Sequence, residues 1–181
     1  KNILYEIDGK SALNLYKTYL GDYINELPGS ALLFPLSLKK DDSERSLVRT
    51  ILSINEADSS MVFAGNMPEG SKVRFMKANF TNLIDGSAQA AQNSSEDLKQ
   101  RSAELAILIS CVGRKLVLHQ RTEEETEAAG AIFGPRVAMT GFYSYGEISP
   151  FSSGTDCELH NQTMTITTLA AVSYTHLTLP T

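Results

Sequence analysis

The chain holds 181 residues, with 16 Lys and Arg against 21 Asp and Glu for a formal net charge of −5. Its 42% hydrophobic and 20% charged content is that of a globular domain with a real core, which excludes wholesale disorder. The acidity argues against a general nucleic-acid binder, and no apolar run reaches the roughly 18 residues of a membrane span.

Residues 3–7 (ILYEI) are apolar and β-prone and lead into an Asp8-Gly9 turn signal. Ser11 is placed to cap a helix over residues 12–20. Its apolar Leu13, Tyr16 and Leu20 recur at three- and four-residue steps until Gly21 stops it. A short helix or loop over 23–27 ends at Pro28-Gly29. Residues 31–38 read as a strand interrupted by Pro35, which has no N–H to donate and therefore predicts an edge or bulge. Residues 48–54 alternate, with Val48, Thr50, Leu52 and Ile54 on one face and Arg49, Ile51 and Ser53 on the other. Strands over 60–64 and 72–76, joined by a loop with Pro68 and Gly70, predict an antiparallel hairpin.

Residues 80–92 predict a first long helix with Leu83, Ile84, Ala88 and Ala91 on one stripe, ended by polar residues 93–99. The run AELAILI at 103–109 has the pattern of a strand buried on both faces. A second long helix carries a capping box at Thr122-x-x-Glu125. Glu123, Glu124 and Glu125 suit its positive N-terminus, and Gly134 and Pro135 stop it. Strands over 137–148 and 159–171 complete the order β-α-β-β-β-β-α-β-α-β-β. The expected fold is α+β, a mixed, mostly antiparallel sheet with two long helices and one shorter N-terminal helix, in one domain over residues 1–172.

Three clusters could carry chemistry. Ser110-Cys111-Val112-Gly113-Arg114 follows the apolar strand and precedes a helix, a junction that aims free backbone N–H groups above the strand end. Cys111 there is either an activated thiol or a small packed hydrophobe. Arg114 either holds a ligand carboxylate or sits in an internal salt bridge. In GFYSYGEISP (141–150), Tyr143 and Tyr145 share one strand face, and Gly146 allows a bulge that re-aims Glu147. A buried Glu147 needs a partner; otherwise it is a solvated acid at a strand end. His160 and Asn161 open the last strand, where they serve a polar ligand or satisfy turn backbone. A Cys111–His160 nucleophile pair is the enzymatic alternative. The three histidines form no spaced metal motif with Cys111 and Cys157, and no phosphate-loop, dinucleotide or nucleophile-elbow signature is present.

Taken together, ISCVGRKLVL (109–118), GFYSYGEISP and LHNQTMTI (159–166) resemble the C-terminal domain of the FIST family. YEIDGKSALNLYKTYLG (5–21) and NMPEGSKVRF (66–75) resemble its earlier blocks, so the likeness spans about residues 1–171. The resemblance implies a sensory input module without a cofactor. It binds a small polar ligand such as an amino acid, follows an N-terminal FIST domain, and feeds a signalling output domain or protein in bacterial signal transduction. It supplies no catalytic residues. The ligand contacts expected here are Cys111, Arg114, Tyr143, Tyr145, Glu147, His160 and Asn161, with an amino acid held between Arg114 and Glu147. The chain is expected to be a piece of a longer cytoplasmic protein, with two reduced cysteines. Residues 173–181 (SYTHLTLPT) resemble a cloning remnant and are set aside. A scaffold domain without ligand and a thiol-dependent enzyme using Cys111 are the competing expectations.

Overall fold

The computed structural model describes residues 1–39, 46–98, 101–150 and 154–171. Residues 173–181 lie outside the described residues. The strands are β1 (Ile3–Leu4), β2 (Glu6–Ile7), β3 (Lys10–Ser11), β4 (Leu36–Lys39), β5 (Leu47–Arg49), β6 (Ile51–Asn55), β7 (Ser60–Phe63), β8 (Lys72–Phe75), β9 (Leu105–Cys111), β10 (Ala138–Ser144), β11 (Glu147–Pro150), β12 (Cys157–His160) and β13 (Met164–Leu169). The helices are α1 (Ala12–Leu20), α2 (Phe80–Asp97), α3 (Val112–Leu118) and α4 (Glu123–Phe133). The class is α+β as expected. In place of one mixed sheet, small sheets of two and three strands form, antiparallel throughout except for the parallel pair β9–β10.

The N-terminal half is organised by α1. Ser11 caps it by accepting from the Asn14 N–H at 3.3 Å, and Gly21 ends it with φ 57°. Its apolar face, Leu13, Tyr16 and Leu20, is buried against Leu36, Leu38, Ile51, Met61 and Phe63 from the sheets β1-β7-β6 and β5-β4-β8. The Tyr16 hydroxyl keeps its hydrogen bond by donating to the Phe34 carbonyl at 2.8 Å.

The C-terminal half is built on β9, the central strand of the sheet β10-β9-β13, with α2 and α4 over one face. Its buried apolar centre is made of small groups, Ala91, Ala106, Leu108 and Ala129. Gly141 on β10 is required by this geometry. A Cβ there would lie 1.9 Å from the Leu108 carbonyl oxygen, so no other residue fits without separating the two strands.

Several expectations are corrected. Residues 29–33 form a 3₁₀ turn rather than the start of a strand, because Pro35 cannot donate to a ladder and restricts Phe34 before it. The strand expected over 48–54 breaks at Thr50 into β5 and β6, which belong to different sheets. Arg49 is consequently buried and Leu52 exposed. No hairpin joins β7 to β8. β7 pairs with β1 and β6, whereas β8 pairs with β4, and the intervening loop buries Met67 in the core. Helix α2 runs through the polar residues to Asp97, where Ser94 is buried under β13 and donates to the Ala91 carbonyl. An additional short helix, α3, follows β9 directly. The Thr122 capping box does not form, because Thr122 already has helical dihedrals and its hydroxyl donates to the His119 carbonyl.

The two halves meet along a polar seam. Arg49 donates to the carbonyls of Asn66 and Leu159, each at 3.0 Å. The Thr50 N–H reaches the Asn161 side-chain oxygen at 3.4 Å, and the Gln162 amide reaches the Leu32 carbonyl at 3.1 Å. Burial lowers the guanidinium pKa of Arg49, and nearby Glu158 partly offsets this.

Candidate functional site

The end of β9 gathers the polar groups. The register sets Ser110 beside Tyr143 and Met164, and Cys111 beside Ser144. Alternation turns Ser110 toward the helices. The chain enters α3 immediately, which swings Arg114 under α2 and α4. There the Arg114 Nε donates to Glu125 at 2.5 Å and an Nη donates to the Leu83 carbonyl at 2.6 Å. The Ser110 hydroxyl donates to the same Glu125 carboxylate at 3.2 Å, and the Tyr143 hydroxyl reaches it at 3.5 Å. Arg114 and Glu125 are 3% and 0% exposed, so the pair is fully desolvated, a state that holds only while each partner remains. Burial, reinforced by Glu125, pushes the Tyr143 hydroxyl pKa up.

A second arrangement forms across the break at Tyr145-Gly146. Glu147 is buried and accepts from the Ser144 hydroxyl at 2.6 Å and from the Thr163 hydroxyl at 2.7 Å. Two O–H donors satisfy a buried carboxylate in place of a cation. Cys111 lies between the two arrangements and feels both Arg114 and Glu147. Burial dominates and raises the thiol pKa, although the Gly113 and Gln162 N–H groups pull it down. A thiol held protonated is a poor nucleophile, and the His160 Nε2 lies 3.1 Å from the Ser149 carbonyl, so the geometry lends no support to a Cys111–His160 dyad.

Cys111, Arg114, Tyr143 and Glu147 therefore lie near one strand end but do not line one shared hollow: Arg114 and Tyr143 face Glu125, Glu147 is held by Ser144 and Thr163, and none of the four lines the cavity beside His160. His160 pairs with Glu147 across the β11–β12 hairpin, and Asn161 belongs to the seam. Tyr145 is 90% exposed and joins none of them. Of the two roles left open for Arg114, the internal ion pair is the one formed. Sequence reasoning misses its partner, Glu125, because helix electrostatics already account for an acid in the first turn of α4. The available signal was its four-residue spacing from Ala129, which marks the buried stripe of α4. Thr163 and Ser144, which hold Glu147, were also missed.

Two cavities bear on binding. One of about 830 Å³ lies in the N-terminal half between β1, β2 and β8 and contains none of the expected site residues. The other, about 660 Å³, opens beside His160. Asn93, Glu96 and Asp97 of α2 line one side, and Ser149, His160 and Thr163 line the other. Thr163, the donor to Glu147, is thus part of its wall. Among the described residues no cluster of His, Cys, Asp and Glu is arranged to hold a metal ion, and no helix is long and apolar enough to cross a membrane.

The family model of the FIST C domain matches residues 12–150. That span contains Cys111, Arg114, Tyr143, Tyr145 and Glu147, while His160 and Asn161 follow it. No curated protein and no solved structure matches the chain.

Proposed function

Because the chain belongs to the FIST C domain family, which is associated with sensory signal transduction proteins, we propose that it is an input domain that binds a small polar ligand in the cavity beside His160. The observation that supports this reading most is the cavity itself. About 660 Å³ is the size of a small-molecule site, and its wall combines polar groups with the apolar Met164 and Ile166. Its wall also touches the buried network through Thr163, so a ligand there would act on Glu147 and the end of β9. The proposed context is bacterial and cytoplasmic, with an N-terminal FIST domain and a signalling output domain or protein as partners. Amino acids are the first ligand class to screen.

Thermal-shift measurements on the chain against amino acids and other small metabolites test the reading. A single-site ligand at a hundredfold excess over its Kd stabilises by about 2.7 kcal/mol. A folded chain that responds to none of them contradicts it.

A second reading, a protein-interaction scaffold, is favoured by one feature. Among the described residues strand β10 is a sheet edge, and Phe142, Tyr145 and Ile148 on and beside it are exposed. That reading predicts an unchanged ligand response in Phe142→Ser together with loss of partner capture.

A further inference from the structure

We propose that strand β10 joins a second copy of this chain edge to edge, about a two-fold axis at Gly141, giving a reversible dimer with one continuous sheet. The inference does not rest on the cavity beside His160. Residues 138–143 are all exposed, Gly141 included, and a glycine's exposure is that of its backbone. The Ala138 N–H donates to the Glu104 carbonyl, on the side of β9. Alternation therefore turns the backbone groups of Met139, Gly141 and Tyr143 the other way, outward from the sheet.

The other sheet edges among the described residues are blunted. Strands β1, β2 and β3 hold two residues each and β5 holds three. Strand β6 carries a bulge, β8 carries Lys72 and Arg74, β11 ends at Pro150 and β12 carries Glu158. Strand β13, the opposite edge of the same sheet, lies against α2 and β11. Strand β10 has seven residues, AMTGFYS, with neither a charge nor a proline among them. Its exposed Met139 and Phe142 are joined by exposed Leu116 of α3, a helix that packs on β10.

A second copy fits this strip by charge. Chains of net charge −5 repel each other least through an uncharged strand. Exposed cations stand at its two ends and favour an acidic partner: Arg136 before the strand, and Lys115 5.0 Å over the Tyr143 ring. A second copy also fits by register. Antiparallel pairing centred on Gly141 uses every outward group, because Met139, Gly141 and Tyr143 of one copy then exchange hydrogen bonds with Tyr143, Gly141 and Met139 of the other. Phe142 stands across from Thr140, an aromatic against a β-branched side chain. A two-fold closes after one partner. The ladder is about 23 Å long, shorter than a standard interface needs, which makes the dimer reversible rather than obligate.

Sedimentation velocity of the chain from about 1 μM to about 1 mM tests this. The expected result is a monomer–dimer equilibrium that stops at the dimer. Phe142→Lys sets two like charges beside the axis, and Met139→Pro removes an outward N–H, which a free edge strand tolerates. Each is expected to weaken the dimer by about tenfold or more, with a circular dichroism spectrum like that of the parent chain. Phe142 is 60% exposed, so its variant keeps the test decisive should the proline disturb the strand. Leu52→Lys, at an exposed apolar group of the N-terminal half, is expected to change nothing, which separates this edge from general apolar association. A chain that is monomeric throughout overturns the inference. Assembly beyond the dimer overturns the two-fold. A dimer that resists both β10 variants, or that Leu52→Lys weakens equally, overturns the assignment to β10. A folded Met139→Pro that still dimerises while Phe142→Lys does not overturns edge pairing in favour of a contact through the sheet face.

Discussion

The two halves of the molecule bury different chemistry. Around α1 the core is apolar and bulky, with Leu13, Tyr16, Leu36, Met61 and Phe63 all fully buried. Around β9 the apolar centre is mostly alanine, and the space between elements is filled by Ser87, Ser110, Arg114, Glu125 and Glu147. An apolar core gains from every buried group and tolerates neighbours of similar volume. A polar core stabilises only while each donor and acceptor is matched, so it fixes one arrangement and responds sharply to any change. The first half is stabilised by the apolar area it buries, and the second by the matching of its polar partners.

The largest effect expected from this contrast is at the ion pair. Arg114→Ala leaves Glu125 charged and unpartnered in the interior and is expected to cost about 3–5 kcal/mol in chemical denaturation. Replacing both partners, Arg114→Met with Glu125→Leu, is expected to recover most of that loss. If the single and double variants are equally destabilised, the pair is not the unit described. Next is the apolar core, where Leu13→Ala is expected to cost about 2–5 kcal/mol and Leu13→Met less than about 1.5. A loss as large for Met as for Ala would erase the distinction between the halves.

The seam is expected to give a smaller effect. Asn161→Ala removes the acceptor of the Thr50 N–H and a donor to the His160 carbonyl, and is expected to cost about 1–3 kcal/mol. Separation of the unfolding transitions of the two halves would sharpen the comparison further. Smallest is the thiol. Because burial raises the Cys111 pKa, the folded state holds that proton more tightly than the unfolded chain. The stability this supports is complete below about pH 8.5 and is lost as pH rises through the folded value, with a slope of at most about 1.4 kcal/mol per pH unit. Urea unfolding between pH 7.5 and 10 is expected to show the decline, and Cys111→Ala to lack its first part. Tyr16, whose hydroxyl pKa is also raised by burial, adds its own decline only from about pH 10.

How much of this the residues announce differs between the halves in the same way. Helix α1, with its Ser11 cap, three buried apolar positions and Gly21 stop, is written in local signals and forms as read. The apolar run of β9 likewise marks the central strand, and the positive φ of Gly134 ends α4 as its position suggests. Pairings between distant segments are not local. Nothing in residues 48–54 shows that the chain changes sheets at Thr50, since alternation is satisfied equally by one strand or two. Arg49 became buried because Leu159 and Asn66, far away in sequence, offered carbonyls to it.

The site shows the same limit. Cys111, Arg114, Tyr143 and Glu147 are recognisable in the sequence as chemically unusual, and all lie near the end of β9, but in two separate arrangements and outside the wall of the cavity beside His160. Which charge meets which was hidden, because Arg114 had acids available on several elements. Glu125 stood in a run of acids that helix electrostatics explained without it. The cavity was hidden too, since its wall combines the end of α2 with β13 and the β11–β12 hairpin, elements that share no sequence pattern.

In the proposed reading, Arg114 and Glu125 hold the fold while the cavity beside His160 takes the ligand. The most direct measurement repeats the thermal-shift screen of amino acids and other small metabolites on the Arg114→Met, Glu125→Leu double variant, with folding confirmed by circular dichroism, and titrates any ligand that shifts the parent chain into both. The account predicts an affinity within a few-fold of the parent chain. A folded double variant that no longer binds, while the parent chain does, would place the ion pair inside the binding machinery and contradict the division of labour described here.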